Sequence, residues 1–163
     1  MNLNPESPTL RGLIKVHKDT TPIQPLVNYK NVPSYKLTKM FTGILKSHIP
    51  LPNVHNVQNS VQIMKDLSHI PFFSELKLAS LDISNMYTSI PTEDPTNIID
   101  TLCKIHNLED TLTRENLTMA RLIITHNYFS FLDKTNLQKN GLAMGAPTSS
   151  ILSEIYLQYL ENT

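Results

Sequence analysis

The sequence predicts an α+β fold in which helices dominate and a few short strands accompany them. Apolar residues recur at helical spacing in several segments, and closely spaced prolines break residues 1–71 into shorter pieces. A composition of 40% hydrophobic and 17% charged residues is typical of a globular domain. With 163 residues, the chain is long enough for one domain and too short for two.

Composition also excludes several classes of protein. No apolar run approaches the roughly 20 residues that a membrane-spanning helix needs. Residues 1–8 are polar and do not resemble a signal peptide. Cys103 is the sole cysteine, so no internal disulfide can form, and no Cys/His group has the spacing of a zinc site. We therefore expect an intracellular, non-secreted protein.

In the first part of the chain, a hairpin and two helices are predicted. Residues 10–17 and 23–29 can pair as strands around a turn at residues 19–22. Residues 34–48 form the clearest helix, and Pro50 follows its end. A second helix is predicted over residues 56–67. The apolar residues expected to face inward are Leu37, Met40, Phe41, Ile44 and Leu45 in the first helix and Val57, Val61, Met64 and Leu67 in the second.

The second part begins with the most strand-like segment, residues 76–83. Helices follow over residues 93–106, capped by Thr92, and from Thr113 to about residue 128, capped by Thr113 itself. Residues 128–132 and 135–139 resemble a hairpin that turns at residues 133–134. A loop at residues 140–147 with two glycines then leads into a helix over residues 148–160. In its helix, Cys103 falls among the inward positions and is expected in the core.

Charge is unevenly distributed although the chain is neutral overall. Residues 1–50 carry seven Lys/Arg and two acidic side chains, a net charge of +5, and the remainder carries −5. Either the basic part contacts a polyanion, or its lysines simply occupy a solvated helix face.

An aspartate stands inside the strand-like segment, where this residue type is disfavoured. Asp82 either binds a metal, since a carboxylate suits Mg²⁺, or caps the following turn through its side chain. Tyr87 follows five residues later. Its ring either forms the floor of a nucleotide pocket or packs in the core.

The glycine loop is the second chemical signal. Gly141 and Gly145 are two of only four glycines in the chain. Glycine allows the backbone to approach a ligand closely, and the free N–H groups of the helix that begins near Thr148 could face a phosphate. The alternative is an ordinary loop with a helix cap.

Three segments in this order resemble reverse transcriptases, in particular those of Penelope-like retroelements, a group that looks close to telomerase reverse transcriptase. LDISNMYTSIP at residues 81–91 resembles their first catalytic motif. The later segment GLAMGAPTSSILSEIYL at residues 141–157 resembles their glycine-proline motif and the palm helix after it. Their fingers segments are resembled by RGLIKVHK at residues 11–18, PIQPLV at 22–27 and PSYKL at 33–37.

The resemblance implies an RNA-directed DNA polymerase acting on an RNA template, a DNA primer and dNTPs, with two Mg²⁺ ions and a nuclear location. It assigns Asp82 as the first catalytic aspartate, with the Ile83 carbonyl also on a metal. Tyr87 would lie under the sugar. The other residues that it places near the nucleotide, template or primer are Lys15, Lys18, Gln138, Gly141, Met144, Gly145 and Pro147.

The implied architecture is a partial right-hand polymerase, with fingers at about residues 1–72 and 92–145 and a partial palm at about 73–91 and 146–163. Gln24 stands where the family usually has an arginine that would hold a triphosphate. The family's aromatic-x-Asp-Asp hairpin, expected beyond the palm helix, is not present up to Thr163. We therefore expect no polymerisation by this polypeptide alone; it is either a piece of a polymerase or a non-catalytic nucleic-acid-binding remnant. Its palm strand is expected to leave an open edge that promotes self-association.

Overall fold

A computed structural model describes residues 6–16, 20–51, 56–57, 59–71, 75, 77 and 79–162. Across these residues the fold is α+β and helix-rich, with six helices and one four-stranded mixed sheet. No helix in this described portion is both long and apolar enough to cross a membrane. The elements are β1 (Thr9–Ile14), β2 (Ile23–Asn28), α1 (Tyr35–His48), α2 (Ser60–Ser68), α3 (Met86–Ser89), α4 (Asp94–Ile105), α5 (Asp110–Thr125), β3 (Tyr128–Phe131), β4 (Lys134–Leu137) and α6 (Ser149–Glu161).

The sheet has the strand order β2-β1-β3-β4. β1 and β2 pair antiparallel with Gly12 opposite Pro25, which confirms the predicted hairpin. Pro25 is tolerated because β2 is an edge strand, where a missing N–H costs no ladder bond. β3 runs parallel to β1 and antiparallel to β4.

The second hairpin turns one residue earlier than the sequence predicted. Leu132 and Asp133, rather than residues 133 and 134, form the two-residue turn, and both have positive φ (49° and 59°). Positive φ at both residues is typical of a type I′ turn, whose twist matches that of the two paired strands. Leucine rarely adopts a positive φ, so a prediction from residue type placed the turn one residue too late in the chain.

Helix positions agree with the sequence better than helix caps do. α1, α4 and α6 begin and end within a residue or so of their predicted limits. The predicted caps are wrong: α4 has Glu93 rather than Thr92 at its N-cap, and α5 begins at Asp110, three residues before Thr113. Neither helix has a side-chain cap. Each has an acidic residue in its first turn, and this negative charge interacts favourably with the positive end of the helix dipole.

The main core lies where α1, α4, α5 and α6 meet. Phe41, Leu45, Ile99 and Leu152 are almost completely buried there. Cys103 is also fully buried, as predicted, and this burial raises the pKa of its thiol.

One residue predicted to face inward from α1 and the whole predicted inward face of the second helix are exposed. Met40 on α1 is 53% exposed, and no residue of α2 is buried. The four residues predicted to face inward from the second helix, all exposed, are Val57, Val61, Met64 and Leu67. Periodicity correctly predicts a helix, but the described residues bring no other element against this face.

The predicted strand at residues 76–83 is also wrong within the residues that can be described, 77 and 79–83. These residues have no strand hydrogen bonds, and Leu81 is 96% exposed. An apolar β-like run becomes a strand only where a neighbouring strand supplies a ladder, and the sheet lies elsewhere. The open palm edge, on which the expected self-association depended, is therefore not formed by these residues.

Candidate functional site

A polar cleft of about 310 Å³ lies between the β1–β2 hairpin, the segment before α3 and the glycine loop. It unites three stretches that are far apart in the sequence. Its lining residues are Lys15, Pro22, Ile23, Gln24, Pro25, Asp82, Ile83, Ser84, Asn85, Met86, Thr88 and Met144.

The hairpin contributes Lys15 and Gln24. The Lys15 N–H donates to the Pro22 carbonyl over 3.0 Å, which extends the strand ladder one pair beyond β1. Side chains alternate between faces along a strand, so the positions of Pro22 and Gln24 place them on the same face as Lys15. Gln24 Nε2 donates to Met144 Sδ over 2.6 Å, which ties the hairpin to the glycine loop.

The opposite wall carries the one acidic group of the described lining. Asp82 is exposed, and its carboxylate forms no hydrogen bond to any described residue. The following helix is instead preceded by Asn85, which adopts a left-handed conformation (φ 52°) that asparagine tolerates. Of the two alternatives for Asp82, the turn cap is therefore not observed.

The glycine loop is held between α3 and β2 by two short backbone contacts. Leu142 N–H donates to the Tyr87 carbonyl over 2.6 Å, and Val27 N–H donates to the Met144 carbonyl over 2.8 Å. Gly141 and Gly145 have φ of 75° and 111°. A Cβ at Gly141 would lie 2.6 Å from the backbone of Thr88, and one at Gly145 would collide with the Val27 carbonyl oxygen. Both glycines are needed for close approach to the protein's own backbone.

The first side chains at the start of α6 pack into the protein. Thr148 and Ser149 are 1% and 4% exposed, and the Ser149 hydroxyl donates to the Ala143 carbonyl over 2.6 Å. These two side chains are used for internal packing, and of the two alternatives for the loop the phosphate contact by backbone N–H groups stays a prediction. The hydrogen bond from Ser149 to Ala143 fixes the glycine loop to the helix one residue before Met144, which lines the cleft.

Several residues implied by the resemblance lie away from the cleft. Tyr87 is half-buried and packs against the main core, as in the alternative of a core tyrosine. The side-chain amide of Gln138 donates to the Asn140 carbonyl over 2.9 Å, and Pro147 is half-buried beside Thr42. Lys18 lies outside the described residues. The cleft thus unites Lys15, Asp82, Ile83 and Met144 with Gln24.

A second, shallower groove adjoins the hairpin and contains residues to which the sequence analysis gave no role. Arg11, Lys30 and Tyr35 line it together with Gly145, around a volume of about 420 Å³. Arg11 is four residues before Lys15 and therefore on the same strand face. That even spacing of two cations is the signal that could have identified the groove.

The donor set of the cleft does not fit a resident pair of Mg²⁺ ions. Asp82 is the single carboxylate of its described lining, and the described residues contain no group of three His, Cys, Asp or Glu able to hold a metal. Two-metal sites hold ions roughly 3.5–4 Å apart and need several oxygen ligands. Asp82 and the Ile83 carbonyl could supply at most part of such a centre.

Comparison with known proteins adds no family. No protein-family model matches the chain, and no curated protein matches it significantly. Function therefore has to be inferred from the motifs and from the cleft into which they fold.

Proposed function

We propose that this chain is part of the RNA-directed DNA polymerase domain of a retroelement, with the cleft as the place where primer end and incoming nucleotide meet. One observation carries the proposal: Lys15, Asp82 and Met144, each from a different motif segment, line the same cleft. Nothing in local sequence forces these segments together. Their convergence is what a nucleotide-binding arrangement requires.

The two walls of the cleft carry opposite charges, and the basic wall suits an anionic ligand. Lys15 provides a half-buried cation that can contact a phosphate, and Asp82 provides an exposed carboxylate on the facing wall. These two groups do not form a salt bridge with each other. The neutral Gln24 amide cannot replace the bidentate grip of an arginine on a triphosphate.

A path for the nucleic acid leads from the cleft along the hairpin. Arg11 and Lys15 share a strand face and, at about 3.3 Å per residue, lie roughly 13 Å apart. Lys30 and Tyr35 continue the path in the second groove, where a cation and an aromatic ring can serve phosphate and base. The excess of positive charge in residues 1–50 is consistent with this contact surface.

A second candidate function, non-catalytic binding of nucleic acid, is favoured by the contact between Gln24 and Met144. This contact engages the amide that would otherwise face a triphosphate. Polymerisation also needs more carboxylates than the described cleft supplies. We therefore expect the 163-residue polypeptide to bind a template–primer duplex without extending it.

The test is a paired assay of binding and extension. Fluorescence anisotropy with an RNA template annealed to a DNA primer should show binding that weakens as salt rises. Lys15→Ala should weaken it and lower the salt dependence by about one phosphate contact. Lys46→Ala, at an exposed position of α1 outside both grooves, is the matched control.

Primer extension with Mg²⁺ or Mn²⁺ should yield no product. Binding that changes neither with salt concentration nor with the Lys15→Ala substitution would refute the nucleic-acid role. A product that disappears in Asp82→Ala would show instead that the polypeptide is an active polymerase.

A further inference from the structure

We propose that a second cavity, behind the glycine loop, is a binding site for a small uncharged aromatic molecule. The cavity has a volume of about 230 Å³ and lies between α1, α5, the glycine loop and the start of α6. Leu37, Ile124, Leu142 and Leu152 form its apolar walls. This inference does not depend on the proposed polymerase role, because the site shares no lining residue with the cleft.

Three of the polar side chains around the cavity already donate to partners within the protein. The Tyr29 hydroxyl donates to Asn127 Oδ1 over 2.6 Å. The hydroxyls of Thr38 and Ser149 donate to backbone carbonyls over 2.8 and 2.6 Å. Most of the surface that lines the cavity is apolar, and an ordered water needs two to four polar partners, so the cavity offers water few of them. An apolar ligand, by contrast, loses nothing by entering.

The surroundings of Tyr29 agree with a water-poor cavity. Burial raises the pKa of this tyrosine to about 12, because the charged phenolate would be poorly solvated. The same environment disfavours a charged ligand. It therefore selects an uncharged one.

The volume restricts the ligand to one or two rings. An engineered apolar cavity of roughly 150 Å³ in another protein binds benzene or xenon. At about 230 Å³, this cavity has room for benzene and for a fused two-ring molecule such as indole. Drug-sized ligands occupy pockets of roughly 300–1,000 Å³ and are too large.

An occupant would also bear on the glycine loop. Gly141, Leu142, Ala143 and Ala146 line the cavity, while Met144 in the same loop lines the cleft. A ligand in the cavity would contact one side of the glycine loop and thereby restrict the motion of the Met144 side chain on the other side. The site is thus placed to couple an apolar ligand to the cleft.

Methyl NMR of the whole 163-residue chain, titrated with benzene and then with indole, tests the proposal. We expect saturable shifts in the methyl signals of Leu142, Ala143 and Leu152, with a further shift of the Met144 methyl. Ala146→Leu fills the cavity and should abolish all of these shifts. Met40→Ala, at an exposed position of α1, should leave them unchanged.

Wild-type signals that do not saturate, or saturable shifts that persist in a folded Ala146→Leu variant, would overturn the proposal. If Ala146→Leu does not fold, Leu37→Ala decides the question, because it enlarges the cavity. Indole, which already fits the unaltered cavity, then loses contacts with this wall and should bind several-fold more weakly, and an unchanged affinity would contradict the site. A Met144 methyl that stays still while the cavity fills would refute the coupling.

Discussion

Gln24 is the residue whose replacement by arginine should strengthen nucleotide binding in the cleft most. Gln24→Arg would replace a neutral donor with a guanidinium facing the same cleft as Lys15. A hydrogen bond to a charged group contributes about 1.5–3 kcal/mol, so affinity for a deoxynucleoside triphosphate should rise roughly tenfold or more. Isothermal titration calorimetry measures this affinity directly.

Gln62→Arg is the matched control for that substitution. It adds the same charge on α2, at an exposed position away from the cleft. If both variants raise triphosphate affinity equally, the gain comes from net charge alone, and the cleft is not the nucleotide site.

Tyr29 makes stability depend on pH in the alkaline range. An unfolded tyrosine ionises near pH 10, whereas burial raises the pKa of Tyr29 to about 12. Above pH 10 proton loss therefore favours the unfolded chain. The contribution of Tyr29 is fully present below pH 10 and is lost as pH rises toward 12, by on the order of 2–3 kcal/mol.

Urea denaturation at a series of pH values measures this loss. In Tyr29→Phe the decline between pH 10 and 12 should be smaller. At neutral pH the variant should lose roughly 1–3 kcal/mol, because the side-chain oxygen Oδ1 of Asn127 is left without its donor. An identical alkaline decline in both proteins would show that Tyr29 is not responsible.

At the scale of elements, the glycine loop joins α3, β2 and α6, and its two glycines are not interchangeable with alanine. Gly145→Ala should destabilise the protein by at least roughly 1–3 kcal/mol from backbone strain, and more from collision with the Val27 carbonyl. Chemical denaturation measures the change.

Gly43→Ala provides the contrast within the same chain. Gly43 lies in α1 with open space where a Cβ would go, so alanine should stabilise the helix by about 0.5–1 kcal/mol. Equal destabilisation by the two substitutions would contradict the close packing of the loop.

Local pattern predicted the elements whose stability is mostly local. The spacing of Phe41 and Leu45 was sufficient for α1, and two short extended segments on either side of a turn were sufficient for the β1–β2 hairpin. Local pattern gave a wrong prediction at residues 79–83. A strand forms only beside a partner strand, and no local signal shows whether a partner strand lies close enough to pair. The exposed face of α2 was missed for the same reason.

At the scale of the whole molecule, the cleft depends on how distant segments pack. The resemblance to reverse transcriptases singled out Lys15, Asp82 and Met144, and the fold brings them to one place. It also singled out Tyr87, whose carbonyl holds the glycine loop while its ring packs against the core. The groove with Arg11 and Lys30 was missed, because the even spacing of Arg11 and Lys15 is its local signal and Lys30 and Gly145 join it only through the fold.

The most direct test of the central claim, that the cleft receives the primer end, is photo-crosslinking. A template–primer duplex carrying a photoreactive nucleotide at the primer 3′ end is irradiated with the protein, and the attached peptides are identified by mass spectrometry. Crosslinks should concentrate on residues 22–25, 82–88 and 144 and should fall when Lys15 is replaced by alanine. Crosslinks confined to α2 or α5, or spread evenly over the chain, would contradict the assignment of the cleft.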